Sequence, residues 1–146
     1  MKLIYLSFFL FLGWHSAKAQ TDFDKAKTDA ATQHKLLLVS FSGSDWCLPC
    51  IRMHKEIFAS DDFKAFALEK LIMVEADFPR LKKNRLSKQQ VSQNEALAAM
   101  YNKEGKFPFT VLLSPAGKIL KQWDGFPDES TTEFIHEIKI IANAGN

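Results

Sequence analysis

The two cysteines of the chain stand three apart in Trp46-Cys47-Leu48-Pro49-Cys50, just behind an apolar run of strand length, Leu36 to Ser42 (LLLVSFS). No other feature limits the fold as much. A continuous apolar run rich in β-branched and aromatic side chains predicts a central strand buried on both faces. Gly43-Ser44-Asp45 then reads as a turn, and a helix is expected from Cys47 to about Phe58, with Ile51, His54 and Phe58 at spacings of three and four. Cys47 therefore falls at the leading end of a helix, where unpaired N–H groups and the positive end of the helix dipole stabilise an anion. The turn is expected to present its sulfur to solvent. Cys50 lies one turn along the same face, within reach to close a disulfide or to resolve a mixed one. A thiol attacks a disulfide only as thiolate, so the placement supplies what such an exchange needs. Pro49 suits the first turn, where no backbone donor is required of it.

The flanking segments supply helices and further strands. Asp22 opens a first helix reaching about Gln33, with Phe23, Ala26 and Ala30 on its apolar stripe. Ser60 restarts a helix to Lys70 with Phe63, Phe66 and Ala67 inward, and Leu71 to Ala76 is a second strand, parallel to the first because a helical crossover joins them. From Asp77 to Gln90, Pro79 breaks the strand, and Arg80, Lys82, Lys83, Arg85 and Lys88 follow with no acid among them. This stretch reads as a solvated loop, with a docking patch that steers acidic partners as the alternative. A helix is expected over Val91 to Asn102, and strands over Phe109 to Ser114 and Lys118 to Trp123, paired as a hairpin about Pro115-Ala116-Gly117. Ser130-Thr131-Thr132-Glu133 has the form of a capping box before an apolar face of Phe134, Ile135, Ile138, Ile141 and Ala142. The order implies an α/β sandwich: a mixed central sheet, a parallel pair plus an antiparallel hairpin, flanked by helices.

The first residues read as an address rather than as fold. Met1-Lys2 is followed from Leu3 to Trp14 by a run in which ten of twelve residues are apolar, and Ala17-Lys18-Ala19 has the small-x-small form of a signal-peptidase site. Spanning a bilayer takes about 20 apolar residues, more than this run provides before Ser7 breaks it. We therefore expect a cleaved signal over 1–19, a single domain over 20–146, a periplasmic or secreted location, and peripheral membrane contact at most. Loss of Lys2 and Lys18 with the signal leaves 17 basic and 17 acidic residues, so net charge offers nothing to nucleic acid.

Other uses of the cysteines fare worse. A structural bridge enclosing only Leu48 and Pro49 adds little stability. A zinc site from Cys47, Cys50 and His54 lacks a fourth ligand. Covalent haem needs His directly after the second cysteine, where Ile51 stands. No phosphate loop, Ser/His/Asp set or catalytic carboxylate pair stands out.

The strand into Trp46-Cys47-Leu48-Pro49-Cys50, the strand Leu71 to Ala76, Phe107-Pro108 ahead of the hairpin, Gly125 after it and the C-terminal helix together resemble the thioredoxin superfamily. Within it, Gly43-Ser44-Asp45-Trp46-Cys47 and the extended 79–90 segment look most like exported bacterial members. The resemblance implies a monomeric thiol–disulfide oxidoreductase in which Cys47 attacks and Cys50, buried, resolves. Pro108 would be the family's cis-proline, and Phe107 would pair its backbone with an extended substrate. Trp46, Leu48, Pro49 and Gly125 would border the bound partner. The substrates would be protein disulfides or dithiols, no bound cofactor is implied, and a reductant or isomerase in an oxidising envelope would be recharged by a membrane electron-transfer partner. Thioredoxins usually carry a buried Asp in the strand before the motif; here Ser40 stands there, with Asp45 and Glu75 as substitutes. The rival reading is a thioredoxin-like adaptor in the cell envelope, docking partners through the apolar surface of Trp46, Leu48 and Phe107 without redox chemistry.

Overall fold

Helix α1 (Asp22–Gln33) leads into strand β1 (Leu36–Ser42), and a short helix α2 (Leu48–Met53) follows the Gly43–Trp46 turn. The structure is a computed structural model describing residues 22–144, so the expected signal segment lies outside the described residues. A π-helical stretch (His54–Phe58) continues α2, and α3 (Asp61–Lys70) then leads into β2 (Leu71–Asp77). After a single turn at Lys82–Asn84 come α4 (Lys88–Tyr101), β3 (Phe109–Leu113), β4 (Ile119–Asp124) and α5 (Thr131–Ala144). Among the described residues, no helix is long and apolar enough to cross a membrane.

The four strands form one sheet in the order β2-β1-β3-β4. β1 runs parallel to β2, with Leu36 opposite Leu71 and Ser42 opposite Asp77, and antiparallel to β3, with Phe41 opposite Phe109. β4 completes the antiparallel hairpin. The mixed α/β sandwich is therefore as expected, and β1 is the central strand buried on both faces.

Side chains alternate along a strand, so β1 feeds two cores. Leu37, Val39 and Phe41 pack with Phe23, Ala30, Ala76 and Leu97 under α1 and α4. Leu38 packs on the other face with Met53, Ile57, Phe63, Leu112, Phe134 and Ile138, which come from α2 onward, α3, β3 and α5. On this second face the strands turn polar toward their carboxyl ends. Ser40 and Ser42 follow Leu38 on β1, and Glu75 and Asp77 follow Leu71 and Met73 on β2. That gradient leaves a polar recess where α2 begins.

Two expected boundaries move. The helix expected over Cys47 to Phe58 is α-helical only to Met53; beyond it the turn widens, and the Ala59 N–H donates to the His54 carbonyl five residues back. The helix expected from Val91 begins at Lys88, because Ser87 and Gln90 exchange side-chain and backbone hydrogen bonds as a capping box.

Candidate redox site

Cys47 and Cys50 are joined as a disulfide at the start of α2, with their Cα atoms 5.2 Å apart. Cys47 is the N-cap residue, in extended backbone, and its sulfur accepts the Cys50 N–H at 3.3 Å. A donor that the helix would otherwise leave unpaired thus points at the Cys47 sulfur, an arrangement that would stabilise negative charge there. Pro49 takes a first-turn position, where its missing N–H costs nothing.

One expectation is corrected here. Cys47 is not presented to solvent in the disulfide form: it is 5% exposed and Cys50 3%. Its sulfur is turned back to Cys50 and to its own helix. Leu48, by contrast, is 74% exposed.

The Phe107–Pro108 peptide bond is cis. Pro108 and Cys50 both line a cavity of about 340 Å³, together with Ser40, His54, Glu75 and Asp77. Asp77 is engaged there: Ser44 donates to it through its backbone N–H (2.9 Å) and its hydroxyl (2.6 Å). Ser40 is buried, and Glu75 is its neighbour on β2. Among the described residues, no three His, Cys, Asp or Glu side chains converge in a metal-binding arrangement.

Gly125 has φ +87, a conformation that side-chain-bearing residues rarely adopt, and its N–H donates to the Pro108 carbonyl at 2.9 Å. A Cβ there would meet nothing within 4 Å, so the backbone angle and not crowding calls for glycine. Gly43 is the opposite case. A Cβ on it would fall 2.3 Å from the indole of Trp46, so the bare backbone is the floor on which that ring lies.

Trp46 is half-buried in a cluster. Its ring meets Phe107 edge-on at 5.5 Å, Phe107 meets Phe78 likewise at 5.5 Å, and the indole N–H donates to the Phe78 carbonyl at 2.8 Å. The Arg80 guanidinium lies over the indole at 3.8 Å. Asp45, named from sequence as a substitute for the buried carboxylate, has a different task. It accepts the backbone N–H groups of Arg80 (2.9 Å) and Leu81 (3.0 Å) and the Asn84 side-chain amide (2.9 Å). The Arg80 N–H, with help from Asn84 and Leu81, holds this carboxyl below its ordinary range against a smaller opposing effect of burial. Sequence reading missed these partners because they lie 35 to 39 positions away.

A thioredoxin-like family model matches residues 18–115. A Chlamydia pneumoniae protein named disulfide bond reductase DsbH is 39% identical over 106 residues, covering 73% of this chain and 61% of DsbH. The thioredoxin-related protein DsbJ of the same organism is 30% identical over 117 residues, 80% of this chain but 31% of DsbJ. The chain thus accounts for less than two thirds of the length of either. A solved structure of a DsbH oxidoreductase superposes with a TM-score of 0.74 at 33% identity, covering 86% of this chain and 84% of the other.

Proposed function

The chain belongs to the thioredoxin-like family, and from that premise we propose that it is a thiol–disulfide oxidoreductase, a reductant or isomerase of exported proteins, with Cys47 and Cys50 as its redox pair. The observation that carries this is the Cys47 sulfur at the N-cap of α2, accepting the Cys50 N–H, with the cis Phe107–Pro108 bond beside the pair.

In the reduced protein the Cys47 thiolate attacks one sulfur of a partner's disulfide. The partner's other sulfur leaves as thiolate and takes a proton. Cys50, deprotonated, then attacks the Cys47 sulfur and releases the partner's second thiolate, which is protonated in turn. The partner gains two electrons and two protons, and Cys47–Cys50 is left oxidised. The proton on Cys50 leaves through the cavity behind it, where Glu75 is the carboxylate not engaged by Ser44. Phe107 offers its backbone to an extended partner, while Trp46, Leu48, Pro49, Pro108 and Gly125 border it. A membrane electron-transfer partner restores the dithiol. Export rests on the segment 1–19, and sequencing the mature N-terminus for a start at Gln20 tests it.

The experiment for the activity is insulin-disulfide reduction by the wild type, Cys47→Ser and Cys50→Ser. Wild type is expected to turn over, Cys47→Ser to show background rates, and Cys50→Ser to accumulate mixed disulfides. Equal rates for wild type and Cys47→Ser would return the chain to the adaptor reading.

A further inference from the structure

From the end of β2 to the first residue of α4 the chain carries Arg80, Lys82, Lys83, Arg85 and Lys88 with no acid among them. All five side chains are exposed. A solvated loop of like charges repels itself and gains nothing from being held in one place. This one is held. Asp45 grips it through two backbone N–H groups and the Asn84 side-chain amide, the Phe78 carbonyl takes the Trp46 indole N–H, and Arg80 stacks on the same indole. Asp45 and Trp46 are the two residues before Cys47, so the segment is fastened to the turn that carries the redox sulfur.

The tether leaves the positive charge unspent. Asp45 uses its oxygens on backbone and amide donors. Lys82, Lys83, Arg85 and Lys88 make no ion pair among the described residues; Lys55, Lys64, Lys103 and Lys118 make none either, but those stand apart along the chain while the four are clustered. A basic ledge therefore stands fixed beside the sulfurs in a molecule whose residues beyond 19 balance to zero charge. Whatever docks on it is delivered to Cys47, and that favours a polypeptide over a lipid surface, which would block the approach to the site.

We propose that this ledge docks an acidic stretch lying next to the disulfide of the partner protein, a specificity that rests on the exchange reading above. Opposite charges raise encounter rates and fix orientation, and the gain fades with salt.

The test uses two peptides with the same disulfide, one extended by a run of glutamates and one by a run of glutamines. Each is reduced by the wild type and by a Lys82→Gln/Lys83→Gln/Arg85→Gln variant, with uncharged hydroxyethyl disulfide as the control for chemistry. The wild type is expected to prefer the acidic peptide by about tenfold at low salt. The variant should lose that preference while reducing hydroxyethyl disulfide unchanged. Separately, a cysteine-free glutamate peptide should bind the oxidised wild type, read by fluorescence anisotropy, and not the variant. Equal rates on both peptides, or a preference kept by the variant, would overturn the proposal. Binding to phosphatidylglycerol vesicles without binding to the peptide would overturn it in favour of a lipid surface. Failure to reduce even hydroxyethyl disulfide would sink the exchange reading instead, and the anisotropy arm would still decide the docking.

Discussion

Asp45 shows how one side chain can tie a basic segment to the turn that carries a cysteine pair. Its carboxyl is held below the ordinary range, foremost by the Arg80 N–H, so it is bound more tightly as the anion. The sign follows. The tether is complete above about pH 4 and is lost as the pH falls through the lowered value. Asp45→Ala is therefore expected to strip hydrogen-exchange protection from the Arg80 and Leu81 amides at neutral pH while β1 and β3 keep theirs. Wild type should lose the same protection on acidification. Unchanged protection in the variant would mean that the segment is held by something else, such as the Trp46–Arg80 stack. Residue by residue, the sequence named what lies next to the sulfurs, because Cys47, Leu48, Pro49 and Cys50 are contiguous. It could not name the grip of Asp45 on Arg80, Leu81 and Asn84, since a carboxylate carries no mark of which distant N–H groups the fold will bring to it.

The elements divide in the same way. The Leu36–Ser42 strand is readable to the residue, because a run buried on both faces shows as successive apolar side chains, here interrupted only by small serines. α4 starts three residues before the expected Val91, although its signal, the Ser87 cap with Gln90 three residues on, is in the sequence. Lys88, Gln89 and Gln90 offer no apolar periodicity, so the pattern that marks the helix begins only at Val91. That cap has a measurable worth. Ser87→Ala is expected to lower stability by about 1 kcal/mol in urea unfolding, with the denaturant slope unchanged. No change in midpoint would show that packing of Asn94 and Leu97 alone sets where α4 begins. The π-helical stretch had no signal at all. Neither Pro nor Gly lies in His54–Phe58, and Met53 before it and Ile57 within it are both buried in the core with Phe63 and Phe134.

For the whole molecule, the fold class followed from the order of elements, whereas the strand order β2-β1-β3-β4 did not, since periodicity says which face of a strand is buried and not which neighbour it takes. The topology does the chemical work. β1 borders a parallel partner on one side and an antiparallel one on the other, and the recess at the carboxyl ends of β1 and β2 lies beneath the start of α2. The cis Phe107–Pro108 bond and the basic segment close in from two further elements. Every part of this arrangement is useful only if the sulfur it surrounds is reactive as an anion. The decisive measurement is the pH dependence of alkylation of each cysteine in the reduced protein, resolved by mass spectrometry. Cys47, the N-cap sulfur that accepts the Cys50 N–H, is expected to ionise below the ordinary thiol value near 8.5 and before Cys50. Two cysteines titrating together at or above that value, and labelled no faster than those of an unfolded peptide, would contradict the account.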